Sequence, residues 1–162
     1  MTNGQWSLLL RFRARRKGDS TYSFRMQYDH QWGPWSFRTT ADANYVNSYG
    51  VSLAQDVALD FSRLSTLNTR PPLTLRLRAQ FFDAKDWANR IYLYEHDVLY
   101  AFSIPAVYGF GGRAYLCLRW QIIPQLTLYF RASETVYAKQ WAASHSRPIT
   151  RTDLHLLLRA YL

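Results

Sequence analysis

Cysteine is almost absent from this chain. Cys117 stands alone, which excludes an internal disulfide framework and a cysteine-rich metal site. Lysine is scarce as well: Lys17, Lys85 and Lys139 are the only three, so the formal net charge of +9 is carried almost entirely by arginine. No run of about 18 apolar residues occurs, which excludes a transmembrane helix. No amphipathic segment of helix length separates the strand-like stretches, which argues against βαβ topology. There is no low-complexity segment and no strict internal repeat. The opening residues, Met1-Thr-Asn-Gly-Gln-Trp6, carry neither a basic n-region nor a long apolar h-region. An export signal is therefore expected upstream, with this chain as a fragment of a longer protein.

What is present is alternation. In Asp153-Leu-His-Leu-Leu-Leu-Arg-Ala-Tyr-Leu162, residues Leu154, Leu156, Leu158, Ala160 and Leu162 share one parity. Asp153, His155, Arg159 and Tyr161 share the other, with Leu157 the one apolar exception. Period 2 is the signature of a strand with two unlike faces. About ten residues is the length a tilted strand needs to cross a bilayer. The same pattern recurs upstream. Strands are expected at about Gln5 to Arg15, Thr21 to Gln31, Trp35 to Tyr45, Ser48 to Phe61 and Leu73 to Phe82. Further strands are expected at about Arg90 to Phe102, Arg113 to Ile122, Leu126 to Tyr137 and the terminal stretch. Polar turns or loops are expected at Arg15–Ser20, Trp32–Trp35, Ser62–Pro72, Ser103–Gly112 and Ala138–Thr150.

Aromatic residues make up 17% of the chain and mean hydropathy is only −0.30. A transmembrane barrel produces this combination, because one residue in two faces lipid while the other faces the interior. The expected architecture is thus all-β, a single antiparallel up-and-down transmembrane β-barrel domain over 1–162. Nine strands conflict with the even number found in bacterial single-chain barrels. Either one stretch is misread, or these strands are the C-terminal part of a larger barrel.

Three motifs occur in order: Arg90-Ile-Tyr-Leu-Tyr-Glu-His-Asp-Val-Leu-Tyr-Ala-Phe-Ser-Ile-Pro105, the glycine-rich Tyr108-Gly-Phe-Gly-Gly-Arg-Ala-Tyr-Leu116, and Leu126-Thr-Leu-Tyr-Phe-Arg-Ala-Ser-Glu-Thr-Val-Tyr-Ala138. Together they resemble the C-terminal barrel region of Bacteroidetes outer-membrane proteins. Those proteins carry helix-hairpin-helix repeats, as in competence-type DNA-binding proteins, toward their N-terminal end. The resemblance covers about Leu73 to Leu162. It implies the outer membrane of a Gram-negative bacterium. The implied partners are outer-membrane lipid and lipopolysaccharide, the barrel-assembly machinery, and DNA through a helix-hairpin-helix domain that 1–162 does not contain. The implied role is a pore or membrane anchor linked to DNA uptake. The chain departs from the family in ending Ala-Tyr-Leu rather than on an aromatic residue, and Tyr161 has the wrong parity to replace one.

If the apolar parity faces lipid, Arg25, Arg76, Arg78, Arg119, Arg131 and Arg159 point inward, as do Arg11, Arg13 and Arg38. A charge on the lipid face costs about 2–4 kcal/mol at the midplane. Such a lumen attracts anions; alternatively, Asp29, Asp56, Asp60 and Asp153, on the same parity, pair with the arginines and fill the interior. Tyr92, Tyr94, Tyr100, Tyr129 and Tyr137 lie near strand ends and are expected in an interfacial girdle. Glu95-His96-Asp97 alternates sides on a strand, which spoils a metal site or a His–carboxylate dyad from these three. No G-x-S-x-G occurs, and His30, His96, His145 and His155 are scattered. No catalytic residue, metal or cofactor is expected. Two rival readings remain. A barrel enzyme would need a Ser/His or Asp/His pair at the rim. A soluble all-β ligand-binding module would bury Leu75, Leu77, Leu116, Leu118, Leu154 and Leu158 and expose the arginines.

Overall fold

The computed structural model describes residues 4–17, 19–64 and 72–161. The expected turn at Gly18, most of the loop between Ser62 and Pro72, and the terminal Leu162 lie outside them. Ten strands form: β1 (Gln5–Lys17), β2 (Asp19–Trp32), β3 (Trp35–Val46), β4 (Ser48–Asp60), β5 (Leu73–Ala84), β6 (Ile91–Tyr92), β7 (Ala106–Val107), β8 (Gly109–Ile123), β9 (Leu126–Tyr137) and β10 (Thr150–Ala160). Eight of them make one antiparallel meander in the order β1-β2-β3-β4-β5-β8-β9-β10. Among the described residues β1 pairs with β2 alone and β10 with β9 alone, so the sheet has two open edges.

The register carries the sequence parity across the sheet. Arg25 lies opposite Asp42, Arg38 opposite Asp56, and Asp56 opposite Arg78. Most charged positions therefore fall on one face of the sheet, because side chains alternate strictly along each strand. The other face is apolar and uncovered: Leu8, Leu10, Phe12, Leu53, Phe81, Leu154, Leu156 and Leu158 are exposed. Its polar residues are few. Thr39 donates to Gln55 at 2.6 Å across the β3–β4 pair, and Arg16, Asp83 and Glu134 lie within three residues of a strand end.

The chain reverses tightly where its residues permit. Trp32 and Trp35 pair across Gly33-Pro34, with Gly33 at φ +57°. Val46 and Ser48 pair across Asn47, at φ +60°, a conformation that asparagine tolerates better than most residues. A six-residue helix, α1 (Lys139–Ser144), occupies part of the expected loop between β9 and β10.

The expected sixth strand is the main correction. Residues 90–102 do not join the sheet. Ile91 pairs with Val107 and Tyr92 with Ala106, and Glu95 forms a further bridge with Ser103. The segment is a hairpin that folds against the charged face, and β5 pairs directly with β8. Ser103–Gly112, expected as a turn, supplies the hairpin's return limb and the start of β8. This removes the odd strand: eight, not nine, line the sheet. Side chains from β2, β3, β5, β8, β9 and β10 all contact this hairpin or the few residues leading into it. A sheet that touches one hairpin from so many strands wraps around it, with the charged face concave.

Candidate functional site

The concave face is an ion-pair network built around the inner hairpin. Alternation along the hairpin's outgoing limb sends Glu95 and Asp97 toward β8–β10 and His96 toward β5. Glu95, fully buried, accepts from Arg113 Nε at 2.7 Å and Nη2 at 2.9 Å, and also from Arg131 Nη2. Two guanidiniums from adjacent strands thus clamp one carboxylate. Arg113 also donates to Thr135 at 2.6 Å and Ser133 at 3.1 Å, and Arg131 to Ser103 at 3.2 Å. Asp97 lies 2.7 Å from His155 Nδ1 and 3.8 Å from Arg131.

The hairpin's backbone is held too. Arg25 donates to the carbonyl of Tyr92 at 2.9 Å and Arg78 to that of Tyr94 at 2.8 Å. At the strand ends near the hairpin's base, Asn44 donates to the carbonyl of Asn89 at 2.9 Å. Gly50 lies beneath this contact, where a Cβ would strike the Asn44 side chain and the Asn89 carbonyl. Phe82, Ile91 and Val107 form the small apolar cluster at the base. Gly109 opens β8 at φ +90°, with the Trp141 ring of α1 lying where a Cβ would stand.

The six arginines expected in the lumen are all on the concave side, but they are not equivalent. Arg25 pairs with Asp42 at 2.6 Å. Arg78 is bidentate to Asp56 at 2.7 and 2.9 Å. Arg131 is committed to Glu95. Arg119 lies over the Tyr129 ring, and Arg159 over Tyr100 and Tyr161. Arg76 meets His96 Nε2 at 3.1 Å. Burial and the cations of Arg76, Arg78 and Arg38 hold the His96 imidazole down to about 4. Of the carboxylates expected to pair inward, Asp29 meets Arg38 at 2.5 Å and Asp56 meets Arg78, while Asp60 and Asp153 make looser pairs with Arg63 and Arg151.

The five tyrosines expected in a girdle are placed differently. Tyr129 is buried on the concave face, and Tyr137 stacks on Trp141 inside the wall. Tyr92, Tyr94 and Tyr100 belong to the inner hairpin, with Tyr94 edge-on to His96. Aromatic residues do band the outward face, but they are others. Tyr22, Tyr45 and Tyr49 stand abreast near one end of the strands, and Trp32 and Trp35 face each other near the opposite end. Their parity with Phe24, Met26 and Val51 was the available signal. Arg113 and Asp42 are network members that sequence reasoning passed over, and Glu95 was weighed only together with His96 and Asp97. Arg113 shares the parity of Arg119, and could have been found from it.

No family model, curated protein or solved structure matches the chain. Among the described residues no group of three or more His, Cys, Asp or Glu is arranged to hold a metal ion. No helix is long and apolar enough to cross a membrane, which says nothing of strands. Of the six leucines the soluble-module reading would bury, Leu77, Leu154 and Leu158 are exposed and Leu75, Leu116 and Leu118 half-buried, while Arg78, Arg113 and Arg131 are buried and Arg119 is exposed.

Proposed function

We propose that this chain is membrane-spanning wall of an outer-membrane β-barrel, and that it serves as an anchor with an occupied lumen rather than as an open pore. The observation that carries the reading is the division of faces: one continuous apolar face is left uncovered, while the strands turn nearly all their charges to a concave side filled by residues 91–107, with Arg16, Asp83 and Glu134 outward only near strand ends. In a monomeric soluble protein an exposed apolar surface of this extent is a liability; against lipid it is the required surface. The aromatic bands fit the same reading. Tyr22 and Trp32 are ten steps apart on β2, about 33 Å along the strand. At a barrel-like tilt of about 40° this projects to about 25 Å, the height of a barrel's apolar band.

The open edges enlarge the proposal. Unpaired N–H and C=O groups cost several kcal/mol each in hydrocarbon, so β1 and β10 take partner strands. A closed eight-stranded barrel has an interior just wide enough for side chains. This concave face also holds a two-limbed hairpin, so we assign the sheet to a barrel of more than eight strands. Contact with DNA is proposed only through the helix-hairpin-helix domain that the resemblance implies.

Fluorescence quenching tests the membrane placement. The protein is folded into vesicles containing brominated lipid, with Trp6, Trp32, Trp35 and Trp120 as reporters on the outward face. Strong quenching by bromine and weak quenching by aqueous iodide is the expected result. Iodide quenching that dominates, or full recovery of folded protein without detergent or lipid, refutes it.

A further inference from the structure

Arg76 differs from most of the arginines around it. Its neighbours Arg25, Arg38, Arg78, Arg113 and Arg131 each have a carboxylate within ion-pair distance. Among the described residues Arg76, half-buried, has none, although a guanidinium carries five donors. Its one side-chain hydrogen-bond partner among them is His96 Nε2, a neutral acceptor. Arg76 lines a cavity of about 620 Å³ between the inner hairpin and the wall. That is the size of a small-molecule site. The charged groups lining this cavity are Arg38, Arg76 and Arg78 against Asp29 and Asp56, so the lining is one negative charge short of balance. Tyr94 and Tyr115 also line this cavity.

We propose that this cavity is a binding site for a small organic phosphate, whose phosphoryl oxygens take the free donors of Arg76. A guanidinium presents two parallel N–H groups that match two phosphate oxygens. His96 supplies the second element. Facing it are Arg76 and Arg78 from β5, Arg38 from β3, Tyr115 from β8 and Tyr94 from its own hairpin, while Glu95 and Asp97 point the other way. With the site free, burial and three cations keep the imidazole neutral. A phosphate dianion against Arg76 reverses that field, and His96 takes a proton from solvent and faces the ligand as a donor. A carboxylate brings one charge where a phosphate dianion brings two, so phosphate favours the protonated His96 more strongly. The inference does not rest on membrane placement, since the cavity belongs to the folded chain in detergent or lipid alike.

The test uses the detergent-solubilised protein with inorganic phosphate as the probe. The His96 imidazole is followed by NMR and assigned with His96→Gln. About 10 mM phosphate, a concentration sufficient for millimolar affinity, should raise the His96 midpoint by more than one pH unit, and calorimetry in buffers of different ionisation heat should show proton uptake on binding. Arg76→Gln should weaken phosphate binding at least tenfold and abolish the phosphate-dependent shift. Arg76→Lys keeps the charge and removes the fork. It guards against a folding defect, and should retain weaker binding with a smaller shift. Three outcomes overturn the proposal: no movement of His96 with phosphate, an equal movement in Arg76→Gln, or acetate matching phosphate in both affinity and shift.

Discussion

The clamp on Glu95 yields the sharpest prediction. Glu95→Gln keeps the shape of the side chain, removes its charge, and sets an amide NH2 against guanidinium donors. Two interactions are disturbed: the bidentate contact from Arg113 at 2.7 and 2.9 Å and the contact from Arg131. Breaking a buried ion pair by changing one partner costs about 3–5 kcal/mol, because the remaining charge is stranded. Here both arginines keep other acceptors, Thr135 and Ser133 for one and Ser103 and Asp97 for the other. This places the expected cost near the lower end, about 3 kcal/mol. The loss falls on docking of the hairpin, since the wall's own ladder is untouched. At about 1.4 kcal/mol per tenfold, the undocked hairpin becomes roughly a hundredfold more populated. Hydrogen exchange reads this directly at the Glu95 amide, which donates to the Ser103 carbonyl at 2.9 Å. Chymotryptic cleavage at Tyr94, Leu99 and Phe102 gives a second readout when opening is fast relative to cleavage. A combined variant, Glu95→Leu with Arg113→Leu and Arg131→Met, should recover most of the protection, because well-packed apolar groups replace a buried ionic cluster at little cost. Protection in Glu95→Gln within tenfold of the unsubstituted protein would refute the idea that this clamp holds the hairpin.

Three further outcomes are expected. On the terminal strand, Leu156 is 72% exposed on the outward face and Leu157 faces inward; Leu156→Arg should cost about 2–4 kcal/mol in vesicles and Leu157→Arg less, and equal tolerance of both in vesicle unfolding titrations would count against a lipid-facing surface. His96, held at about 4 against an ordinary 6.5, binds fewer protons when the hairpin is docked than when it is free; its contribution is complete above about pH 6.5 and is lost as pH falls toward about 4, so hairpin protection should decline across that window and His96→Gln should flatten the decline. Gly109→Ala places a Cβ at φ +90° against the Trp141 ring; a strain of about 1–3 kcal/mol is expected, seen as a lower unfolding midpoint and altered tryptophan emission, and an unchanged midpoint would refute it.

Much of this architecture was legible in the sequence because a strand's period is strict. The parity of Leu73, Leu75 and Leu77 against Arg76 and Arg78 identifies β5 and assigns its faces without any tertiary knowledge. The same reasoning located β1 to β4, β9 and β10 to within a few residues and put the six candidate arginines on one side. It also anticipated that Asp29 and Asp56 would meet arginines, since a shared face brings them within reach.

Residues 90–102 show where such reasoning stops. They are rich in aromatic residues, as a wall strand would be, with less clean alternation around Glu95-His96-Asp97. Periodicity reports that a segment has two unlike sides, not which surfaces those sides meet. Here one side meets Arg113, Arg131 and His155 and the other meets Arg76, all within a single wrapped sheet. The partners lie up to 67 residues away along the chain, so little that is local distinguishes the hairpin from a strand. Tyr129 follows the same logic: its place near a strand end suggested an interface, whereas its parity, read against the whole sheet, buries it. Period and parity thus determined the two faces of the sheet. The tertiary structure alone decided that the charged face closes around part of the chain itself, because burying Glu95 requires two arginines that only the folded sheet brings side by side.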